Sequence, residues 1–145
     1  MQTKSLIQKY FIFCYVFSLI VAVSGALLLQ YHFHIKPCEL CLYERYIFYA
    51  TIPMLTFSPS GIKMPLLFMA VIASLALSGY HSLIELKVIE PIVDCVVPND
   101  LNDIFNKMPD CREVNFRILG LSLANVNFIY HSLVLFFGIY LTKKQ

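Results

Sequence analysis

Charged residues are scarce in this sequence. Asp, Glu, Lys and Arg make up 14% of its 145 residues, whereas a soluble domain carries about 25%. Hydrophobic residues reach 59%, and the mean hydropathy is +0.70, while soluble domains hold roughly 45–50% apolar residues. These values exclude a conventional cytosolic globular domain, and the length is too short for a second domain. We therefore expect a single domain, residues 1–145, embedded in lipid.

A strong net charge is absent as well. The chain has 11 Lys and Arg residues against 9 Asp and Glu residues, which leaves a formal charge of +2. A nucleic-acid-binding protein usually carries a marked positive charge on one face. The balance therefore predicts no nucleic-acid partner.

Long apolar runs are abundant by contrast. A helix needs roughly 20 apolar residues to cross a bilayer core of about 30 Å. Three uncharged runs of that length lie at 10–29, 64–84 and 118–141. A shorter run, 42–57, holds Glu44 and Arg45 near its start and Pro53 further on, where a kink is expected. The sequence thus predicts an all-α integral membrane protein, a four-transmembrane-helix bundle. The first run exceeds the h-region of about 7–15 residues in a cleaved signal peptide, which favours a retained span.

Lysines mark one side of this predicted bundle. They precede the first run, separate the second from the third, and follow the fourth, at Lys4, Lys9, Lys63, Lys143 and Lys144. All nine acidic residues fall elsewhere. The positive-inside rule therefore places both termini and the turn 58–61 in the cytoplasm.

Two loops, 30–41 and 85–117, then face outward. In the longer loop, apolar residues recur at helical spacing after Asn99, a plausible N-cap: Leu101, Ile104, Phe105 and Met108. This pattern is typical of a short helix on the membrane surface. An ordinary packed loop is the alternative.

Four of the five cysteines lie in the two outward loops, at Cys38, Cys41, Cys95 and Cys111. Disulfides persist in an oxidising space such as the periplasm. Cys38 and Cys41 form a C-x-x-C motif, a spacing that allows bonding across one turn and often exchanges readily. Four cysteines permit three pairings, and spacing alone does not choose among them.

Two other interpretations of the cysteines are weaker. A Cys95–Cys111 bond could be a structural staple worth about 3 kcal/mol, but a staple would not need the C-x-x-C motif. Structural zinc sites commonly use two close cysteine hooks, and this chain has one, so no metal is predicted. Cys14, within the first span, is expected to be a small buried hydrophobe.

Ionisable residues near the C-x-x-C motif complete the candidate site. Arg45 follows Cys41 by four residues, on the same helical face, where it could stabilise a thiolate or polarise a carbonyl. Glu44 lies on the adjoining edge, and His81 lies near the outward end of the third span, at a similar depth. Snorkelling of Arg45 to headgroups, or its pairing with Glu44, is the alternative. Three further polar residues are expected to serve mainly in helix packing: His131, Asn125 and Asn127.

Electrons accepted by outward thiols must have an exit, yet the sequence contains no haem, flavin or iron–sulfur motif. A lipid-soluble quinone could reach a C-x-x-C motif at the membrane interface between apolar helices. We therefore expect a quinone as the electron acceptor.

Several segments together resemble the disulfide bond formation protein B (DsbB) family of bacterial quinone-dependent thiol oxidases. They are PCELCLYERY (37–46), GYHSLIEL (79–86), Cys111 and LGLSLANVN (119–127). They occur in the family's order and span nearly the whole chain. The chain departs from the pattern at Phe116 and Val126, where tryptophan is expected.

The resemblance implies a relay in the bacterial inner membrane. A reduced periplasmic DsbA-like oxidase with a thioredoxin fold would attack a Cys95–Cys111 disulfide at Cys95. Cys111 would pass the electrons to Cys38–Cys41, and Cys41 would meet ubiquinone or menaquinone beside Arg45. His81 would lie nearby, and Glu44 matches the motif, so both join Arg45 as expected quinone-binding residues.

Such an enzyme would support disulfide bond formation and folding of secreted proteins. A non-catalytic membrane scaffold with structural disulfides is the competing hypothesis. A reductant-delivering protein that runs in the opposite direction is a third, since reduction potentials are not readable from residue types.

Overall fold

A computed structural model describes residues 2–90, 111–112, 117–118 and 120–143 of the chain. These ranges contain four long helices: α1 (Gln2–Tyr31), α2 (Glu39–Phe57), α3 (Lys63–Glu85) and α4 (Leu123–Lys143). Two short strands, β1 (Arg117–Ile118) and β2 (Leu121–Ser122), precede α4. The helical bundle agrees with the predicted fold class.

Three of these helices are long and apolar enough to cross a bilayer. The mean hydropathy is 2.5 within Leu6–Tyr31, 1.7 in α3 and 1.4 in α4. Helix α2 carries three charged residues near its start, Glu39, Glu44 and Arg45, and is less apolar. Its 19 residues extend about 28 Å, close to a bilayer core of about 30 Å. A crossing by α2 therefore stays a prediction.

Helix α3 lies at the centre of the bundle, packed mainly against α4 and α2, while α1 packs chiefly on α2. The apolar core draws on all four helices: Ile12, Tyr15, Leu19, Val23, Phe48, Leu55, Leu67, Val71 and Val134. Large apolar side chains also cover the outside, among them Phe13, Phe57 and Phe136. An apolar exterior around an apolar core is what lipid solvation requires.

Cys14 is exposed, so the expectation of a buried Cys14 is wrong. The buried residues of α1 are Ile12, Tyr15, Leu19 and Val23, which recur at three- and four-residue steps. Cys14 lies off this stripe, on the outer face of the helix. Exposure to lipid costs a small apolar side chain little, so burial was not required.

The first outward loop is shorter than predicted, because α1 continues to Tyr31 and α2 already begins at Glu39. The Ile35 N–H donates to the Leu29 carbonyl at 3.1 Å and closes the end of α1. Cys38 then occupies the N-cap position of α2 with an extended backbone. At the other end, Ser58 precedes Pro59 and is extended (φ −68°, ψ 149°), because a residue before proline disfavours the helical region.

The fourth helix begins at Leu123 and not at residue 118 as predicted. Ile118 pairs with Leu121 in an antiparallel two-stranded hairpin, and Gly120 in its turn has φ +86°, which favours glycine. The Ser122 hydroxyl then accepts a hydrogen bond from the Asn125 N–H at 3.1 Å. This N-cap contact explains why the helix starts after Ser122.

The second outward loop is described only at its edges. Helix α3 ends at Glu85, one residue beyond the predicted span 64–84, and Lys87 follows with φ 58°. Cys95 and the predicted surface helix after Asn99 lie outside the described residues, so both stay predictions.

Candidate functional site

The candidate site lies at one end of the bundle, which we call the cysteine end. There α1 ends at Tyr31, α2 begins at Glu39, α3 ends at Glu85 and α4 begins at Leu123. The chain order alone brings these four helix ends together, because consecutive helices run antiparallel. The sequence places the C-x-x-C motif at the first of these junctions.

Cys38 and Cys41 are two free thiols with their Sγ atoms 3.2 Å apart. Cys38 is buried and Cys41 is half-buried in the first turn of α2. A disulfide has an S–S distance of about 2.05 Å, so a movement of roughly 1 Å would close the bond. This pair can therefore cycle between dithiol and disulfide without unfolding α2.

Cys111 brings a third sulfur to the same place. Its thiol is half-buried and hydrogen-bonded to Cys38. The contact with Cys38 and burial together raise the pKa of the Cys111 thiol, although a backbone hydrogen bond with Leu40 opposes the shift. Cys38 thus has two neighbouring thiols, one from its own motif and one from the second outward loop.

His81 is the side chain that connects the thiols to the helices behind them. It is 2% exposed, and its Nε2 lies 3.6 Å from Cys38 Sγ. Its Nδ1 lies 3.1 Å from Glu44 Oε1. Glu85, one turn further along α3, places Oε1 3.6 Å from the same Nε2 atom, and its buried Oε2 has no hydrogen-bond partner among the described residues.

Glu44 and Arg45 point to different neighbours although they are adjacent in α2. Glu44 is buried and pairs with His81 from α3 and with Asn127 from α4. The Arg45 guanidinium donates to the Gln30 side-chain oxygen near the end of α1. The considered Arg45–Glu44 surface pair is therefore not the arrangement that these two side chains adopt.

Asn127, Glu85 and Gln30 contact the predicted site residues, and the sequence interpretation missed all three. Asn127 makes the closest contact with Glu44. Its Nδ2 donates to Glu44 Oε2 at 2.9 Å, whereas packing alone was expected of it. The sequence did hold one signal, since an asparagine within an apolar span needs a polar partner. Spacing along the chain did not indicate that the partner would be Glu44, 83 residues away.

His131 behaves as expected of an interhelical contact. It is fully buried, its Nε2 lies 3.2 Å from the Tyr15 hydroxyl, and its ring stacks on Phe48. Its Nδ1 donates to the Asn127 carbonyl at 3.0 Å. His131 therefore connects α4 to both α1 and α2, one turn below Asn127.

A cavity of about 150 Å³ opens between these helices at the cysteine end. Its apolar lining comes from Ala26, Leu29, Ile35, Leu123 and Ala124. Its polar lining comes from Cys38, Cys41, Glu44, Arg45, His81 and Glu85. A cavity of roughly 150 Å³ is enough to hold one benzene ring in another protein. The predicted Cys41 and Arg45 thus share one small chamber, as expected from their four-residue spacing.

The donor atoms of Cys38, Cys41 and His81 all lie within 4.8 Å of one another. Two thiolates and an imidazole are typical zinc ligands, so distance alone would allow one soft ion while both thiols are reduced. Closing a Cys38–Cys41 disulfide would remove both sulfur donors. The two uses of these residues, metal binding and disulfide formation, therefore exclude each other.

These features define a class: a helical membrane bundle with a cluster of thiols at one end, beside a small cavity. Comparison with known families then identifies the chain. The model of the family "Disulfide bond formation protein DsbB" matches residues 8–141, so the chain belongs to the DsbB family. It is therefore an integral membrane protein of disulfide bond formation, a disulfide oxidoreductase.

A curated relative aligns with most of the chain. The uncharacterized protein RP370 of Rickettsia prowazekii (strain Madrid E) is 28% identical over 139 aligned residues. The alignment covers 84% of this chain and 81% of the relative.

Proposed function

We propose that the protein is an inner-membrane thiol:quinone oxidoreductase that reoxidises a periplasmic DsbA-like disulfide oxidase. Family membership supports the thiol chemistry. The residues proposed to perform it are those that lie together at the cysteine end. The single observation that carries the proposal is the grouping of Cys38, Cys41 and Cys111 beside a cavity that also contains Arg45. Thiols and an acceptor chamber then share one site.

The proposed relay begins at the loop cysteines. A reduced partner with a thioredoxin fold attacks the Cys95–Cys111 disulfide at Cys95, forms a mixed disulfide, and leaves oxidised once its second thiol displaces Cys95. Cys95 and Cys111 are then both reduced. The Cys111 thiolate next attacks the Cys38–Cys41 disulfide at Cys38, and the contact between Cys111 and Cys38 supports this step. Cys41 is released as the thiolate that faces the cavity. Cys95 then displaces Cys38 from Cys111, which restores the Cys95–Cys111 disulfide and leaves Cys38 and Cys41 both reduced for oxidation by the quinone.

The lining of the cavity fits a quinone head group. The apolar side chains of the cavity can surround the quinone ring. The Arg45 guanidinium can donate a hydrogen bond to a carbonyl oxygen of that ring. A bound quinone supplies a two-electron acceptor that is soluble in lipid. Arg45, His81 and Glu44 would hold it, and Cys41 would face it. Overall, two partner thiols and one quinone give one partner disulfide and one quinol.

Lysines without acidic neighbours support the proposed orientation, whereas Lys36 and Lys87 at the cysteine end lie among acidic residues. Lys63 and Lys143 lie at helix ends opposite the cysteine end, and Lys9 lies in the same half of α1. The positive-inside rule then puts that end in the cytoplasm with both termini, and puts the cysteine end at the periplasmic face. Disulfide exchange with a periplasmic partner requires this arrangement.

The test uses the purified full-length protein with a reduced thioredoxin-like partner and a ubiquinone or menaquinone analogue. Quinone absorbance and the redox state of the partner are followed together. We expect one quinone to be reduced for each partner molecule oxidised. A partner that is oxidised without quinone reduction, or neither reaction with competent thiols, would contradict the proposal.

A further inference from the structure

Glu44 is an acidic residue buried inside the bundle, and both of its carboxylate oxygens have partners on other helices. Oε1 faces His81 Nδ1 of α3 at 3.1 Å, and Oε2 accepts a hydrogen bond from Asn127 Nδ2 of α4 at 2.9 Å. A buried charge is tolerated when it is paired and hydrogen-bonded. The two contacts fix the carboxylate plane between α3 and α4.

A fixed carboxylate determines which nitrogen of His81 carries the proton. A carboxylate only accepts hydrogen bonds, so Nδ1 must be the donor toward Glu44. In the neutral ring, Nε2 is then the acceptor, and it faces Cys38 Sγ at 3.6 Å. Glu85 Oε1 lies equally far from Nε2 and can accept a hydrogen bond from it only after Nε2 has taken up a proton. His81 is thereby oriented to take the proton of Cys38.

Asn127 is itself held firmly on α4. The backbone carbonyl of Asn127 accepts a hydrogen bond from His131 Nδ1. His131 in turn contacts Tyr15 of α1 and stacks on Phe48 of α2. The Asn127 amide therefore approaches Glu44 from a position that three helices determine. In an apolar span, a leucine of nearly the same size would serve packing equally well, so the polar amide requires a separate reason.

We propose that Asn127 is a positioning residue that holds Glu44 against His81, so that His81 acts as the general base for the Cys38 thiol. When the reduced Cys38 is oxidised together with Cys41, its S–H bond breaks and its proton passes to His81 Nε2. The Cys41 thiol loses its proton as well, and the Cys38–Cys41 bond forms as two electrons leave. In the proposed function, on which this inference rests for the acceptor, a quinone takes up both electrons and both protons.

Several other ionisable groups face His81, and they set the background for any pH measurement. They are Cys38 and Cys41 at the start of α2, Glu44 on α2, Glu85 on α3 and Cys111 from the second loop. Asn127 contacts only one of them, Glu44, through its side chain. A substitution of Asn127 therefore tests the Glu44 branch separately.

The experiment measures thiol reactivity without quinone or partner. The fully reduced full-length protein is alkylated with iodoacetamide at pH 7 and at pH 9.5, and mass spectrometry gives a rate for each cysteine. Each rate is compared with that of the same cysteine in the parent protein. Asn127→Leu removes the amide, whereas Asn127→Gln keeps a donor. The matched control is Asn125→Leu, since Asn125 donates to the Ser122 cap through its backbone N–H, which the substitution keeps.

We expect Asn127→Leu to slow Cys38 alkylation at pH 7 by about tenfold, the low end of what outer-shell partners of metal-binding histidines contribute. The difference should disappear at pH 9.5, where hydroxide is concentrated enough to remove a thiol proton without the histidine. Asn127→Gln should recover part of the rate. In a Glu44→Gln background, Asn127→Leu should cause no further loss, because its target is already gone.

Two results would overturn the inference. A Cys38 rate at pH 7 that equals the parent rate would show that Asn127 does not act on Cys38. Equal slowing at both pH values would indicate a general structural defect. If Asn127→Leu fails to fold, the Glu44→Gln and Asn127→Gln rates decide the matter by the same criteria. Failure of quinone reduction would contradict the proposed function but would leave these alkylation rates interpretable.

Discussion

The two ends of the bundle bury different kinds of side chain. Toward the end opposite the cysteines, α2 and α3 bury Leu55 and Leu67 completely. Neither side chain has a polar atom that needs a hydrogen-bond partner. At the cysteine end, the same two helices bury Glu44 and His81 beside Cys38. Apolar packing in the first region supports the fold, whereas the second region uses the fold to hold reactive groups.

The difference has a physical basis. In lipid, the gain from burying apolar side chains is small, because the surroundings are equally apolar, and close packing contributes most. Ionisable groups in the same medium are expensive unless they are paired. Their concentration at one end is therefore a mark of chemistry, and substitutions in the two regions should have separable effects.

The largest separation is expected from Cys41→Ser. Quinol formation should fall by about 100-fold or more, because the sulfur that faces the acceptor is lost, while thermal unfolding in detergent stays near that of the parent. Cys14→Ser, on the exposed face of α1, is the matched control and should keep full activity. Sustained partner oxidation by Cys41→Ser would instead favour the scaffold hypothesis.

Leu67→Ala should show the opposite behaviour. Leu67 is fully buried in the apolar region, and we expect the free energy of unfolding to fall by about 2 kcal/mol, the low end of the Leu→Ala range. The apparent KM for quinone should not change. Met69→Ala, an exposed position on the same helix, controls for side-chain truncation. A changed KM with unchanged stability would remove the distinction between the two regions.

Arg45→Ala should have a smaller effect, confined to the acceptor. Loss of a charged hydrogen-bond donor costs roughly 1.5–3 kcal/mol, so the apparent KM for quinone should rise by about tenfold or more. Exchange between the partner and Cys95–Cys111 should be unchanged, since Arg45 lines the cavity and faces Gln30. Equal quinone dependence in Arg45→Ala and parent would refute this role.

The smallest effect is expected at Cys111. Its contact with Cys38 raises the pKa of the Cys111 thiol, so less thiolate is present at a given pH and alkylation should begin only at higher pH than for an exposed thiol. In fully reduced protein, Cys38→Ala removes the largest cause and should move that onset to lower pH, with about tenfold in rate per pKa unit. An onset unaffected by Cys38→Ala would mean that the contact is not formed in solution.

The sequence was most informative where structure depends on local pattern. Apolar runs predicted the helices, and the four-residue spacing placed Arg45 in the same chamber as Cys41. The sequence also indicated that α4 begins only at Leu123, because Gly120 is typical of a turn and Ser122 is typical of an N-cap. These signals were outweighed by the apolar run that continues through them.

Other features depend on how the helices rotate against one another, which spacing does not determine. The Glu44–Asn127 contact joins residues 83 positions apart, and the exposure of Cys14 depends on which face of α1 meets the bundle. The contact of Cys111 with Cys38 depends on how the second loop returns. For these features the sequence shows which residue types are present. Which residues contact one another depends on how the helices pack.

The most direct measurement is a single turnover of the protein alone. Chemically reduced full-length protein is mixed anaerobically with a ubiquinone or menaquinone analogue, and quinone absorbance is recorded together with the number of free thiols. The account predicts the loss of two thiols for every quinone reduced, with Cys38 and Cys41 among the first to disappear. Thiols that persist while quinone stays oxidised would contradict the claim that the cysteine end passes electrons to a quinone.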